Sequence, residues 1–266
     1  MPTLITSVQN PRVKQVARLS ERRHRDREGL MLVEGADELA LALAGGARPV
    51  AVYYCPTLST RPLDNLLARA ARAGAELVGV SPPVFAKLAY RQNPDGCLAV
   101  LPAAGRGLDG LAAGDRPLFL VVEAVEKPGN LGALLRSADA CAASGVIVCD
   151  PTTDLNNPNV VRSSRGTLFT VPLAEATTAE SLAWLRQRQI AIIAATPRAS
   201  LPYTQADLRG PLAIAVGAED QGLSAAWLAQ ADQVVRIPML GQVNSLNVAT
   251  AAALLLYEAI RQRGMS

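Results

Sequence analysis

Five short, uninterrupted apolar runs in the second half of the chain, at residues 118–122, 146–149, 190–195, 212–216 and 233–237, constrain the fold more than any other feature. The run at 190–195 reads Ile-Ala-Ile-Ile-Ala-Ala, with no polar alternate. A strand of that kind has no face to give to water, so it is covered on both sides, as strands of parallel sheets are. Segments of helical character at 131–143, 179–188 and 225–230 lie between the runs and supply the cover. Strands alternating with helices imply an α/β layer structure.

The first half alternates in the same way. Strands are expected at 30–33, 50–54, 76–80 and 98–101, with helices at 36–44, 63–73 and 83–89. A further helix follows Asn10-Pro11, because proline suits the first helical turn. Residues 107–116 are rich in glycine and alanine and read as a linker. The organisation is thus a smaller α/β domain over 1–106, the linker, and a larger α/β domain over 117–266. Gly105, Gly107 and Gly110 fit the G-x-G-x-x-G pattern of dinucleotide-binding turns. That motif needs a helix directly after it. Here Leu-Ala-Ala-Gly-Asp-Arg-Pro follows, so the glycines belong to the linker.

Composition removes several kinds of chemistry. The single histidine, His24, sits in a basic run, and Cys55, Cys97, Cys141 and Cys149 form no CxxC pair. A zinc site is therefore not expected, and a histidine-dependent triad would have to recruit His24. Nothing reads as a secretory leader or a bilayer span, and reduced cysteines suit the cytoplasm. Charge is uneven: 14 Lys/Arg face 9 Asp/Glu over residues 1–106, against 12 and 14 over the rest. The excess lies in Arg12, Lys14, Arg18, Arg22, Arg23, Arg25 and Arg27. Such a face is suited to phosphates, and it is equally a solvated helix surface.

Three of the apolar runs end in polar, glycine-containing loops. Glu-Ala-Val-Glu-Lys-Pro-Gly-Asn follows the first, Gly-Ala-Glu-Asp-Gln-Gly-Leu-Ser the fourth, and Pro-Met-Leu-Gly-Gln-Val-Asn-Ser-Leu-Asn the fifth. In open parallel sheets the carboxyl edge is where ligands bind, and glycines let the backbone come close to them. Each loop also has a plain reading. Asn130 or Ser245 could cap a helix, Glu219 could sit in a first helical turn, and Arg136 could be an exposed cation. Their joint occurrence, in this order, is not explained by turns.

The segments 128–136, 213–224 and 237–251 together resemble the three motifs of the SpoU/TrmH family of RNA ribose 2′-O-methyltransferases, in the SPOUT superfamily. The resemblance covers about 150 residues, and the first half is similar, more weakly, to the ribosomal-protein-like substrate-binding domain often attached to these enzymes. It implies a parallel-sheet domain with a deep trefoil knot through the crossing after residue 237. It also implies a homodimer, S-adenosylmethionine as methyl donor with S-adenosylhomocysteine as product, no metal, and ribosomal RNA as substrate. Transfer RNA, or an RNA-binding assembly protein that has lost catalysis, are the alternatives. Carried over motif by motif, Asn130, Arg136, Glu219, Ser245 and Asn247 are the expected catalytic set. Thr196, Pro197, Gly217, Ala218, Ile237, Met239, Ser245 and Leu246 are the expected cofactor contacts. Arg12, Lys14, Arg18, Arg22, Arg23, Arg25, Arg162 and Arg165 are the expected RNA contacts. Arginine is a poor general base because its pKa is above about 12, so Arg136 either is strongly perturbed or stabilises a developing alkoxide electrostatically.

Overall fold

The computed structural model describes residues 3–105 and 107–264, which leaves out Arg106, the last residue of the expected first domain. The chain forms two compact units, one of residues 1–104 with 154–170 and one of residues 105–153 with 171–266. The first unit contains β1 (Thr3–Ile5), α1 (Pro11–Arg18), α2 (Arg22–Glu28), β2 (Leu30–Glu34), α3 (Ala36–Ala44), β3 (Ala51–Tyr54), α4 (Asp64–Arg72), β4 (Glu76–Val80), α5 (Pro82–Leu88) and β5 (Cys97–Pro102). Its sheet runs in the order β1-β4-β3-β5-β2. Only β5 runs against its neighbours β2 and β3; the other pairs are parallel. One side of the sheet packs Val13, Val16, Phe85 and Leu88 against Tyr53, Val78 and Leu98.

The second unit begins with β6 (Leu118–Glu123), α6 (Pro128–Ala140) and β7 (Gly145–Cys149). The chain then leaves it. Residues 154–170, with helix α7 (Pro158–Ser164), pack with the first unit. The excursion lies within the expected domain over 117–266 and packs with the first unit. The anchor of the excursion is an ion pair: the Arg25 Nε donates to Asp154 Oδ2 at 3.0 Å, and Arg25 is only 2% exposed. The same guanidinium donates to the carbonyls of Leu19 and Ser20, each at 2.8 Å. Arg25 is therefore a buried strut and not part of a phosphate-facing surface.

The chain returns through β8 (Leu173–Ala176), α8 (Thr178–Gln187), β9 (Ala191–Ala195), β10 (Leu201–Pro202), β11 (Leu212–Val216), α9 (Ala225–Gln230), β12 (Gln233–Arg236) and α10 (Val248–Gln262). These strands make a seven-stranded sheet in the order β10-β12-β9-β11-β6-β7-β8, parallel throughout. It contains all five expected strands; the short edge strands β8 and β10 are additional. One core gathers Phe119, Ile147, Ile192 and Trp227 on one side of the sheet. Helix α10 lies against α6 and β11. It buries Val248, Ala252, Leu255, Leu256 and Ala259 along one stripe, and each buried leucine there contributes about 1.5–3 kcal/mol. The chain steps from β6 to β8 in one direction and resumes at β9 on the other side of β6. A reversal of that kind opens a crevice at the carboxyl ends of the central strands.

Candidate active site

The three polar loops meet at that crevice. The loop after β6 leads into α6, whose first turn holds Asn130. The loop after β11 carries Glu219, and the crossing after β12 ends in Asn247. The Asn130 Nδ2 donates to Glu219 Oε1 at 2.8 Å, and the Asn247 Nδ2 donates to the same oxygen at 2.8 Å and to Asn130 Oδ1 at 3.0 Å. Lys127 donates to the other carboxylate oxygen. The Lys127 ammonium, and then the Asn130 amide, hold the Glu219 carboxyl below the usual carboxylate range. The same contact pushes the lysine up. Sequence reasoning misses Lys127; its place beside Pro128 in the loop after β6 is the available signal.

Asn247 is at once a helix cap and a member of the network. Its Oδ1 accepts from the Ala249 N–H at 3.0 Å, the N-cap contact of α10, while its Nδ2 faces Glu219. Ser245, the cap candidate of this loop, lies two residues before that cap and is exposed.

Two clefts flank this network. One has a volume of about 390 Å³ and is lined from three loops: Thr196 and Pro197 after β9, Gly217 and Ala218 after β11, and Ile237, Met239, Ser245 and Leu246 after β12. Every expected cofactor contact therefore lines one cleft. Asn247 and Glu219 close its end, and Val216, Val235 and Val248 give it an apolar floor. The second cleft, of about 400 Å³, has Asn130, Lys127 and Glu219 on its near wall. Glu219 lines both, so the Asn130–Glu219–Asn247 network is the partition between them.

The loop after β11 is tight for a steric reason. A Cβ on Gly217 would lie 2.2 Å from the Gly222 carbonyl carbon and oxygen, and Gly222, at φ +69°, donates its N–H back to the Ala218 carbonyl at 2.9 Å. Only glycine permits that close approach. The buried Glu123 at the end of β6 fastens the far side of the loop: it accepts from the Ser224 N–H at 2.7 Å and from the Thr178 hydroxyl at 3.1 Å.

Arg136 is not at this network. It lies six residues beyond Asn130 on α6, about 9 Å along the axis and about 240° around it. It is exposed, lines neither cleft, and makes no hydrogen bond or ion pair among the described residues.

The expected RNA contacts lie in the first unit. Lys14 and Arg18 are exposed one turn apart on α1, and neither has a partner among the described residues. Arg12 is held by Glu76 through two hydrogen bonds, one of 2.9 Å. Arg22 pairs with Asp26 at 3.4 Å and Arg23 with Glu21 at 2.9 Å. Arg162 and Arg165, on and just after α7, are exposed. Much of the basic run is thus locally neutralised.

Comparison with known proteins gives the family. The family model of the SpoU rRNA methylases matches residues 117–257, and that of the MRM3-like substrate-binding domain matches residues 10–99. A 23S rRNA (uridine(2479)-2′-O)-methyltransferase of Streptomyces viridochromogenes is 32% identical over 97% of this chain and 92% of its own. A crystal structure of an RNA 2′-O ribose methyltransferase superposes with a TM-score of 0.83 at 43% identity, covering 98% of this chain and 99% of that one. An AdoMet-bound rRNA methyltransferase from Sinorhizobium meliloti superposes at 0.89 with 29% identity, covering 97% of each chain. With its three strand-end motifs gathered on one partition and the family match spanning more than half its length, the chain belongs to the SpoU rRNA methylase family.

Proposed function

We propose that this protein is an S-adenosylmethionine-dependent methyltransferase that methylates a ribose 2′-OH in ribosomal RNA of the 23S type. The observation that carries the reading is the partition itself: a fixed network of one carboxylate and two amides between a cofactor-sized cleft and a second cleft. The first cleft suits the cofactor. Its apolar floor accepts an adenine, the bare Gly217 lets the backbone close on it, and the ionised Glu219 at its end favours a sulfonium cation. The bound cofactor supplies an electrophilic methyl group.

The protein's part is positioning and proton handling. Asn130 and Asn247 hold the Glu219 carboxylate in one orientation, and this constellation receives the 2′-OH from the second cleft in line with the methyl group. The Glu219 carboxylate would accept the hydroxyl proton as the 2′-oxygen takes the methyl carbon and the carbon–sulfur electron pair goes to the departing sulfur. Arg136 acts on the developing alkoxide. Because it lies on the far side of α6 from its own chain's network, it serves the site of a second copy. That placement favours a homodimer, and the exposed Leu254 and Tyr257 of α10 give such a dimer an apolar contact.

The first unit, led by Lys14, Arg18, Arg162 and Arg165, holds the RNA, and the crossing from Ile237 to Asn247 is the segment that threads the family's trefoil knot. Ribosomal RNA is favoured over transfer RNA by the relatives' substrates, and the complete network argues against an inactive assembly factor. No described helix is long and apolar enough to cross a membrane; the enzyme acts in the cytoplasm, where the RNA is. The test is transfer of labelled methyl to ribosomal RNA by Arg136→Lys and Arg136→Ala. Near-normal turnover of the lysine form, with loss in the alanine form, is expected of electrostatic stabilisation. Equal loss in both rules it out.

A further inference from the structure

The second cleft presents the 2′-OH in the reading above, and it is built as firmly as the first. We propose that it takes the nucleobase of the acceptor nucleotide, flipped out of its strand, and that Gln221 and Ser224 determine which base is accepted. The proposal rests on the methyltransferase reading above and names the substrate group that reading leaves unplaced.

Position is the first argument. Base and 2′-OH hang from adjacent carbons of one ribose. With the 2′-OH at the Glu219 partition, the base must lie within a sugar's width of it, on the side away from the cofactor. The cleft of about 400 Å³ lies there, within the ~300–1,000 Å³ of small-molecule sites. Enzymes that turn a nucleotide out of the stack seat its base in a pocket of this kind.

Construction is the second. Ala124, at the mouth of β6, has φ +51°, which a non-glycine residue adopts only where its surroundings hold it. It curls residues 124–127 around the cleft, and Thr152 and Thr153 clamp that curl by donating their hydroxyls to the carbonyls of Val125 and Glu126. Glu123 fixes the opposite wall through the Ser224 N–H. The walls are therefore set before any ligand arrives.

Chemistry is the third. Val125, Leu223 and Val248 offer an apolar surface for a flat ring. Glu123, Glu126, Glu219 and Asp220 bring four carboxylates against the one ammonium of Lys127. That balance repels a phosphate and accepts from the N–H edge of a base. The Gln221 side chain and the Ser224 hydroxyl have no hydrogen-bond partner among the described residues, and both line this cleft and not the cofactor's.

The experiment uses the full-length protein, S-adenosylmethionine binding by calorimetry, and methyl transfer to ribosomal RNA from cells lacking the gene. Ser224→Phe fills the cleft. It is expected to leave cofactor affinity unchanged and to lower methyl transfer by about 30-fold or more, well beyond the effect of Ser224→Ala, which removes the hydroxyl without filling the cleft. Unchanged transfer by Ser224→Phe overturns the proposal, and so does a matching loss of cofactor affinity, which would make the cleft part of the cofactor site. Gln221→Ala, which neither fills nor strains the cleft, gives the second arm. Transcripts of the methylated segment carry each of the four bases at the acceptor position, and the variant is expected to narrow the wild-type preference by about tenfold. An unaltered preference overturns the assignment of Gln221. A wild-type protein that methylates no RNA fails the methyltransferase reading instead, so the two failures are distinct.

Discussion

Asn247 serves the last helix and the partition with opposite ends of one amide, and two substitutions separate those duties. Asn247→Ala removes the cap of α10, worth about 1 kcal/mol, and two hydrogen bonds at an exposed site, worth about 0.5 kcal/mol each at the low end of the usual range. The expected loss is about 2 kcal/mol, or about 6–8 °C in Tm for a unit of this size. Asn247→Asp keeps the cap, since aspartate and asparagine cap equally well. It replaces a donor 2.8 Å from Glu219 Oε1 with a second carboxylate oxygen. Even at a water-like dielectric that repulsion costs about 1.5 kcal/mol at 2.8 Å. A neighbouring like charge raises a folded-state carboxyl pKa above its unfolded value. The penalty is then present above the folded pKa and disappears as pH falls through it. Thermal unfolding of both variants at pH 8 and pH 4.5 is the assay. The aspartate form should lie near or below the alanine form at pH 8 and recover clearly above it at pH 4.5. A gap between the two that does not change with pH would refute this reasoning, because the amide and the carboxylate would then not meet as described.

Other consequences can be checked separately. The depressed Glu219 carboxyl contributes stability above its unfolded pKa that is lost as pH falls through its lower folded value, so Glu219→Gln should flatten the acid limb of the stability profile below about pH 4.5. Gly217→Ala must push the Gly222 backbone away, so calorimetry should show cofactor affinity lowered by about tenfold or more even where the protein stays folded. Arg25→Ala leaves the part-buried Asp154 carboxylate without its cation and should cost the first unit up to about 3 kcal/mol in denaturant unfolding. Lys14→Ala with Arg18→Ala should leave the fold intact and make log affinity for RNA fall less steeply with log salt, by about 0.7–0.9 in slope per phosphate that these two cations neutralise.

The sheet of the second unit is legible because a strand buried on both faces is apolar throughout, and the run at 190–195 admits no other reading. The edge strands β8 and β10 carry no such signal: Leu173–Ala176 includes a half-buried glutamate, and Leu201–Pro202 is two residues long. Helix α7 escapes the sequence reading although its start, Asn157-Pro158, repeats the Asn10-Pro11 signal that marks α1; in both, the asparagine side chain accepts from the N–H two residues on. The polar residues of the site are visible as an excess over what turns require. Which of them touch is not, since the network of Asn130, Glu219 and Asn247 joins residues up to 117 apart in the chain. Charge misleads most. A basic run is read from composition, but Arg25 spends its charge on Asp154 and Arg12 on Glu76, partners 129 and 64 residues away.

The central claim is tested most directly by incubating the purified protein with S-adenosylmethionine and ribosomal RNA from cells that lack its gene, then digesting the RNA to nucleosides and identifying the methylated one by mass spectrometry. A single 2′-O-methylnucleoside, absent when Glu219→Gln replaces the wild type, is the predicted result. Methyl carried on a base, or no methyl on any RNA while the cofactor binds normally, would contradict it.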